Sequence, residues 1–209
     1  MTLEPREAPL QSLAAWPAAD QRPVEVRAGE HVFHEGAFCD AIFEIVDGII
    51  TIYKNALDGG RQLVGIRLAG DLLAISGNDR YDCSAIAARA STVRRVSRAK
   101  VEALMQTDAR LAERLLGACR AELAHTREQL MIVGARSALG RVAALLLDLS
   151  NRTADGAPAV DLPLSRGEMG DYLGLTIETV SRAMSRLKSS RIIALPRSDL
   201  ALILDRARL

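Results

Sequence analysis

The stretch LSRGEMGDYLGLTIETVSRAMSRLKSS, Leu164–Ser190, decides the fold of the C-terminal part of the chain. Ser165 and Glu168 have the S-x-x-E spacing of a capping box, in which each side chain satisfies a free backbone N–H at a helix start. Gly174 stands where a helix end favours a residue that tolerates a left-handed conformation. Thr176 is a good N-cap for a second helix. The pattern therefore predicts two short helices joined by a tight turn.

The two predicted helices carry apolar residues at helical spacing. In the first helix these are Met169, Tyr172 and Leu173. In the second they recur every three or four residues, which predicts that they face a core: Ile177, Val180, Met184 and Leu187. The opposite face of the second helix carries Glu178, Ser181, Arg182 and Ser185. A helix–turn–helix places such an outward face in the major groove of DNA.

The chemistry of this outward face suits base recognition. Arg182 can donate two hydrogen bonds to guanine O6 and N7, and the Glu178 carboxylate can accept one from the cytosine N4 amine. An alternative is an ordinary ion pair between these two residues on a solvated helix face, worth only a few tenths of a kcal/mol. The helix–turn–helix context and the flanking cations Arg186, Lys188 and Arg191 favour DNA binding.

The segment GDYLGLTIETVSRAMSRL, residues 170–187, resembles the recognition motif of the Crp/Fnr superfamily of bacterial transcription regulators, and the E-x-x-S-R pattern resembles its Fnr/FixK branch. The resemblance implies a homodimer on a palindromic TTGAT-like operator, with Arg182 on the guanine and Glu178 on the paired cytosine side. It also implies contact of an activator with RNA polymerase. Further DNA contacts are expected from Thr176, Thr179, Ser181, Ser185, Arg186, Lys188 and Arg197.

Composition limits the other classes of function. The 209 residues carry a net charge of only +1, so any affinity for DNA depends on the local placement of cations. No apolar run reaches 18 residues, which predicts no membrane contact, and no signal peptide is apparent. The three cysteines form no C-x-x-C pair, which is typical of a reducing cytoplasm. No nucleophile–base set, metal-ligand spacing or phosphate loop is present, so an enzyme is not expected.

The N-terminal half has a sequence pattern typical of a β domain. Residues 1–22 are expected to form a loose arm with a short helix near Leu10–Ala15. Short β-prone runs separated by glycines then follow over Val24–Val96, which predicts an antiparallel sandwich or barrel. Asp58-Gly59-Gly60 predicts a hairpin turn. The alternation of Ile50 and Ile52 with Thr51 and Tyr53 predicts a sheet buried on one side. Order and spacing resemble the cyclic-nucleotide-binding-type β-roll of Crp/Fnr proteins.

Cyclic nucleotide and iron–sulfur ligands are both disfavoured. If this chain resembled the nucleotide-binding members of the family, an Arg-Ser pair would be expected to hold the phosphate. The corresponding position here falls near Tyr81–Cys83, while Arg80 and Arg89 are out of register. A buried phosphodiester would then lack a charge-assisted contact. An iron–sulfur cluster needs four thiolates, and this chain has three cysteines with none before Cys39.

Haem is harder to exclude, because one histidine suffices as an axial ligand. The candidates His31 and His34 are three residues apart in a predicted strand, so they are expected on opposite faces and not in one site. Cys83 is read as a small half-buried residue and not as a redox switch. No cofactor and no metal site are therefore expected. The alternative left open is a haem, gas or small-molecule sensor whose β-roll is the main functional site.

A helical region begins at Ser97, which is placed to cap a short helix over Arg98–Met105. Thr107 or Asp108 is placed to cap the next helix, Ala109–Val133. That helix has gaps of three and four typical of a coiled-coil seam at Leu116, Cys119, Leu123, Thr126, Leu130 and Val133. The alternative is a monomeric helix packed on its own domain. Because Leu111, Leu115 and Met131 lie off the seam and suit that contact, we expect the helix to lie between its own domain and a second copy.

The remaining pattern completes a winged helix. Gly134–Ser137 breaks the long helix, Ala138–Asn151 is amphipathic, and residues 152–161 read as a loop. Ile192–Leu195 and Leu200–Leu204 predict a hairpin wing with Arg197 at its tip. The predicted fold is α+β: a β-roll with its arm over 1–107, a dimerisation helix over 108–136 and a winged helix–turn–helix over 137–209. The expected function is a homodimeric cytoplasmic activator of oxygen- or nitrogen-oxide-responsive genes.

Overall fold

The computed structural model of the protein describes residues 23–55, 59–75, 77–153 and 158–209, except for the side chain of Thr153. The expected arm and its helix near Leu10–Ala15 lie outside these residues, as does Asp58 of the expected hairpin turn. The chain divides into two compact units. One contains the described residues up to Lys54 together with Gly65–His125, and the other contains Asn55–Val64 together with Thr126–Leu209.

The first unit is an antiparallel β-roll, as predicted. Its eight strands form two four-stranded sheets, with the orders β1-β8-β3-β6 and β2-β7-β4-β5. Their bounds are β1 Pro23–Val26, β2 His31–Phe33, β3 Ala41–Asp47, β4 Ile49–Asn55, β5 Arg61–Leu68, β6 Leu72–Leu73, β7 Ser84–Ala87 and β8 Ser91–Ser97. Strand β3 pairs along its length with β8, from Ala41 opposite Ser97 to Asp47 opposite Thr92.

Strand β4 corrects one expectation about the sheet. Ile50 and Ile52 are buried as predicted, but Thr51 and Tyr53 on the other face are buried as well. The Thr51 hydroxyl donates to the carbonyl of Ile86 at 3.3 Å, so its burial leaves no free hydroxyl. Alternation of polar and apolar residues therefore did not indicate a solvated face here. The strand is covered on both sides.

The two histidines near β2 lie together, which contradicts their expected separation. The imidazole rings of His31 and His34 are stacked with centroids 4.1 Å apart. Strand β2 ends at Phe33, and its pairing with β7 is irregular between His31 and Phe33. The two-residue period of a strand therefore does not extend to His34. The His31 Nε2 atom also lies 2.8 Å from the Tyr53 hydroxyl.

Two helices follow the roll, α1 at Arg98–Met105 and α2 at Ala109–Val133. Ser97 occupies the N-cap position of α1, but its side chain makes no capping hydrogen bond, contrary to expectation. The start of α2 is capped by Asp108 and not by Thr107. The Asp108 Oδ1 atom accepts from the backbone N–H groups of Arg110 and Leu111, at 2.9 and 3.2 Å.

Helix α2 has two apolar faces. Leu111, Leu115 and Ala118 pack into a buried cluster with residues of the roll, including Ile42 and Val96. Met131 was expected on this side but is 76% exposed, and Ile132 is the buried residue instead. The step from 118 to 132 spans two heptads, so Ile132 continues the buried side and Met131 lies one position away.

The second unit carries the winged helix. Its elements are α3 Ala138–Thr153, β9 Ala159–Asp161, α4 Arg166–Leu173, α5 Ile177–Ser189, β10 Ile193–Arg197 and β11 Leu200–Ile203. The expected loop over 152–161 is wrong at both ends, because α3 runs two residues further than predicted and residues 159–161 form β9. Strand β9 pairs with β11, giving a three-stranded wing with the order β10-β11-β9. No helix among the described residues is long and apolar enough to cross a membrane.

Candidate nucleic-acid interface

Helix α4 begins at the predicted capping box. The backbone N–H of Glu168 donates to Ser165 Oγ at 3.2 Å, and the N–H of Ser165 donates to Glu168 Oε2 at 2.7 Å. The helix buries Met169, Tyr172 and Leu173, as predicted from their spacing. These local bonds and apolar contacts fix where α4 starts and which side faces the core of the unit.

The turn between α4 and α5 depends on two glycines. Gly174 ends α4 in a left-handed conformation with φ 63°, as predicted. Gly170 has a second role that spacing did not reveal. A Cβ at Gly170 would lie 2.5 Å from the carbonyl oxygen of Leu175, which is less than atoms can tolerate. The backbone of Leu175 can approach α4 this closely because Gly170 has no side chain, and its N–H donates to the Gly170 carbonyl at 2.9 Å.

We expect Gly170→Ala to lower the free energy of unfolding by about 1–3 kcal/mol, because the added methyl must displace backbone rather than a flexible side chain. Gly167→Ala is the matched control in the same helix. Its Cβ would have Ser165 Oγ as its nearest neighbour, at 3.8 Å. Alanine there should be neutral or stabilise the helix by up to about 1 kcal/mol. Urea unfolding of both variants measures the difference, and equal stabilities would contradict the close approach.

Helix α5 is held by its predicted cap and core face. The Thr176 hydroxyl accepts from the N–H of Thr179 at 3.3 Å. The side facing the core buries Val180, Ala183, Met184 and Leu187. Ile177 was expected with this set but is 50% exposed, so that prediction is wrong. Side chains lean toward the N-terminus of a helix, so a residue at the first helical position extends past the core instead of onto it.

The outward face of α5 is exposed and partly ordered by its own hydrogen bonds. Glu178, Ser181, Arg182 and Ser185 are all exposed. The Arg182 Nη2 atom donates to Thr179 Oγ1 at 3.3 Å, and Thr179 Oγ1 lies 3.1 Å from Thr176 Oγ1. The chain of contacts from the cap to the guanidinium orients Arg182 along the helix without burying it.

The side chain of Glu178 is stabilised in its ionised form. Hydrogen bonds from its own backbone N–H and from the Thr176 side chain, with a smaller effect of Arg182, hold the pKa of Glu178 below its usual value. The carboxylate is therefore an acceptor at neutral pH. Glu178 and Arg182 form no ion pair in the described part of the chain, so the alternative of a simple intrahelical salt bridge is not observed. Arg182 still helps to lower the pKa of Glu178, so the two charges attract each other without forming an ion pair.

Positive charge is concentrated around this helix. Residues 176–191 contain four basic residues and one acidic residue, although the whole chain is nearly neutral. Arg186 and Lys188 lie in the last turn of α5. Arg197, at the end of β10, is exposed and its Nε donates to Asp199 Oδ1 at 3.0 Å. Its expected phosphate contact stays a prediction.

Sequence reasoning did not single out Ile177 or Arg166 of the helix–turn–helix for DNA contact. Exposed Ile177 stands beside Glu178 and one turn from Ser181, and an apolar side chain there can contact a thymine methyl group. Arg166, the first residue of α4, is half-buried with its Nη1 3.5 Å from Met169 Sδ, and burial lowers its pKa. Its position directly after the N-cap Ser165 was the available signal, because the first helix of such a motif crosses the DNA backbone.

Helix α2 presents a separate candidate interface. Leu116, Leu123 and Leu130 are 51%, 50% and 68% exposed, at intervals of one heptad. Cys119 and Thr126 between them are exposed and Val133 is half-buried. The three leucines are exposed to solvent and take no part in the buried cluster that α2 forms with the roll. Pairing of this apolar seam with a second chain stays a prediction.

Two residues of the β-roll considered earlier, Arg80 and Cys83, have close neighbours within the protein. Arg80 donates from Nη1 to the Gly36 carbonyl at 2.7 Å and lies over the Phe38 ring. Cys83 is half-buried, and burial, followed by Asp82 and Glu122, raises its pKa to about 12. Cys83 is therefore a thiol and not a thiolate at neutral pH. A thiol is less reactive than a thiolate, which agrees with a packing role for this residue. No group of three or more potential metal ligands occurs among the described residues.

Two family models match the chain. Residues 140–209 match the Crp-like helix-turn-helix domain, and residues 23–108 match the cyclic nucleotide-binding domain. The two matches cover the winged helix and the β-roll respectively. They confirm both the predicted resemblance and the predicted fold class.

Individual proteins are similar along most of the chain. The nitrogen fixation regulation protein FixK of Bradyrhizobium diazoefficiens is 36% identical over 190 residues, covering 90% of this chain and 80% of FixK. The transcriptional activator protein FnrL of Cereibacter sphaeroides is 35% identical over 190 residues, covering 88% of this chain and 77% of FnrL. The structure of FixK2 from Bradyrhizobium japonicum superposes with a TM-score of 0.83 at 31% identity, covering 90% of this chain and 94% of FixK2.

Proposed function

This chain belongs to the Crp/Fnr family of DNA-binding transcription regulators, which are not enzymes, and from this membership we propose that it binds a palindromic TTGAT-like operator as a homodimer. The observation that carries the proposal is the outward face of α5. There an ionised Glu178 and an exposed, oriented Arg182 stand one helical turn apart. A carboxylate that accepts from cytosine and a guanidinium that donates to guanine suit a G·C pair within such a half-site.

The neighbouring residues divide into base contacts and phosphate contacts. Ser181 and the exposed methyl groups of Ile177 are assigned to bases next to the G·C pair, where Ile177 is suited to a thymine methyl. Thr176, Thr179, Ser185, Arg186, Lys188 and Arg197 are assigned to nearby contacts, with the cations on phosphates. Arg166 is added as a further phosphate contact at the start of α4.

A symmetric operator follows from pairing of two chains through the seam of α2. Two copies related by a two-fold axis present two α5 helices, and the centres of the half-sites lie about 34 Å apart, one turn of DNA. We further propose that the dimer acts in the cytoplasm and activates genes that respond to oxygen or nitrogen oxides by contacting RNA polymerase. The activator names of FnrL and of the Rhodopseudomonas palustris relative AadR support activation.

A second candidate is a regulator gated by a ligand in the β-roll. The match of residues 23–108 to the cyclic nucleotide-binding domain favours it. Against it, Arg80 already has a carbonyl and an aromatic partner, and no Arg-Ser pair stands near Tyr81–Cys83. We therefore rank it below a regulator that is active as made, without haem, iron–sulfur cluster or cyclic nucleotide.

The test is DNA binding by the purified protein, measured by fluorescence anisotropy on a palindromic TTGAT-like site and on a scrambled sequence of equal length. We expect affinity for the specific site to exceed that for the scrambled site at least about a thousandfold at fixed salt. Addition of cAMP, or the presence of oxygen or nitric oxide, should leave it unchanged. Equal affinity for both sequences would refute the proposed operator, and a large rise with one addition would favour the second candidate. Absorbance near the Soret band tests for haem independently.

A further inference from the structure

A charged side chain of strand β5 is almost completely buried, and buried charges are rarely found without a partner. Arg67 of β5 has a side chain only 6% exposed, and its guanidinium is paired with Glu122 of α2, whose side chain is 41% exposed. Arg67 Nη1 also donates to the carbonyl of Ile66 at 3.2 Å. Since an isolated buried charge is costly, Glu122 compensates Arg67 from the helix side.

The strand is shaped to hold this guanidinium. Gly65 and Arg67 lie on the same face of β5, because side chains two residues apart in a strand share a face. A Cβ at Gly65 would lie 2.7 Å from Arg67 Nη1. The guanidinium therefore occupies the space over Gly65 that any other residue would fill. Both partners and the glycine belong to the first unit of the chain.

The ion pair stands at a particular place on α2. Leu111, Leu115 and Ala118 form the row that packs on the roll, and Glu122 is the next residue of that row at a spacing of four. At this next position of the row, the contact of α2 with the roll is a directional ion pair and not apolar packing. Apolar packing tolerates rotation of a helix about its axis better than a hydrogen-bonded ion pair does, because the latter requires alignment of donor and acceptor.

We propose that the Arg67–Glu122 ion pair is an internal latch that fixes the rotation of α2 on the β-roll, so that the apolar seam faces outward without a small-molecule effector. Leu123 directly follows Glu122, so the rotation that places Glu122 on Arg67 also turns Leu123 to solvent, where it is observed. The inference rests on the proposed homodimer. Beyond the homodimer itself, the inference names Arg67 and Glu122 as the residues that hold the seam in position. It also explains why no diffusible ligand is needed.

The experiment compares full-length variants by sedimentation equilibrium and operator binding. Glu122→Ala should raise the dimer dissociation constant about tenfold or more, because it leaves Arg67 without its carboxylate. Asp40→Ala is the matched control, since it breaks the ion pair with Arg95, in which both side chains are exposed. An exposed pair contributes little, so the control should dimerise and bind DNA like the parent protein.

A double variant separates the latch from a merely stabilising contact. Arg67→Met with Glu122→Leu removes both charges, and such replacements generally retain stability. We expect its melting temperature to recover to that of the parent while the dimer dissociation constant stays at least about fivefold raised, because apolar contacts do not fix the rotation. Full recovery of dimerisation would overturn the latch, and so would unchanged dimerisation of Glu122→Ala.

The outcomes also separate this inference from the proposed function. A parent protein that sediments as a monomer, or fails to prefer its operator, would refute the proposed homodimer before any variant is compared. A parent dimer that binds its operator but gains tenfold in affinity with cAMP or cGMP would overturn the effector-free latch alone.

Discussion

Replacing Arg182 by alanine is expected to weaken binding to the specific operator roughly ten- to hundredfold, a cost of about 1–3 kcal/mol, and to leave binding to scrambled DNA nearly unchanged. The physical reason is that the exposed guanidinium, oriented by Thr179, supplies a paired contact to one base and not a diffuse charge. Anisotropy titrations of the variant on both sequences at one salt concentration measure the two affinities.

The matched control is Arg186→Ala, one turn further along the same helix and also exposed. Arg186 is assigned to a phosphate, so its loss should weaken binding to specific and scrambled DNA by similar factors and reduce the salt dependence by about one counterion. If Arg182→Ala behaved like Arg186→Ala on both sequences, Arg182 would be a backbone contact and base recognition would have to lie elsewhere on α5.

A double replacement of Leu123 and Leu130 by glutamate is expected to convert the protein to a monomer at micromolar concentration. Both side chains are at least half exposed in the single chain, so the change should cost little within one chain. In a paired seam, four carboxylates would be forced into an apolar contact, which is unfavourable through desolvation and repulsion. Sedimentation velocity measures the species present, and operator affinity should fall with the dimer.

Ala124→Glu with Met131→Glu is the control for this double variant. It adds the same charges at positions one residue beyond each leucine, which face outward in a coiled-coil heptad. Met131 is the most exposed large apolar residue of the helix, so glutamate there meets water. The control should remain a dimer. A dimer that survives the leucine replacements would show that the chains pair through another surface.

Features determined within a few residues were predicted well from the sequence. The capping box of Ser165, the left-handed Gly174 and the Thr176 cap all appear as expected, and α2 has the predicted bounds. Each of these depends on backbone groups within one helical turn, so the residue types alone specify them. The same reasoning identified the exposed face of α5.

Features that depend on distant partners were not predictable in this way. Strand β9 has only three residues and exists because β11 pairs with it, so the local pattern carries no period to detect. Thr51 is buried because Ile86 supplies its acceptor. The stacking of His31 on His34 depends on where β2 ends. In each instance tertiary contacts override the local period.

Within the interface, sequence reasoning found the residue types but not the arrangement. It placed Ile177 in the core, because helical spacing ignores the direction in which a first-turn side chain leans. It did not indicate that Thr176 and Thr179 are the hydrogen-bonding neighbours of Glu178 and Arg182 respectively. The pair of buried Arg67 with half-exposed Glu122 gave no signal, since its partners are far apart in the sequence and carry no motif.

The exposed leucines of α2 determine how DNA binding depends on the concentration of the protein itself. If two chains pair through them, the amount of dimer below the dissociation constant varies as the square of the chain concentration. While most operators are still free, a twofold rise in chain concentration then raises operator occupancy about fourfold, with no signal molecule involved. A threshold of expression is thereby built into the helix, and its position shifts with every substitution that strengthens or weakens the pairing.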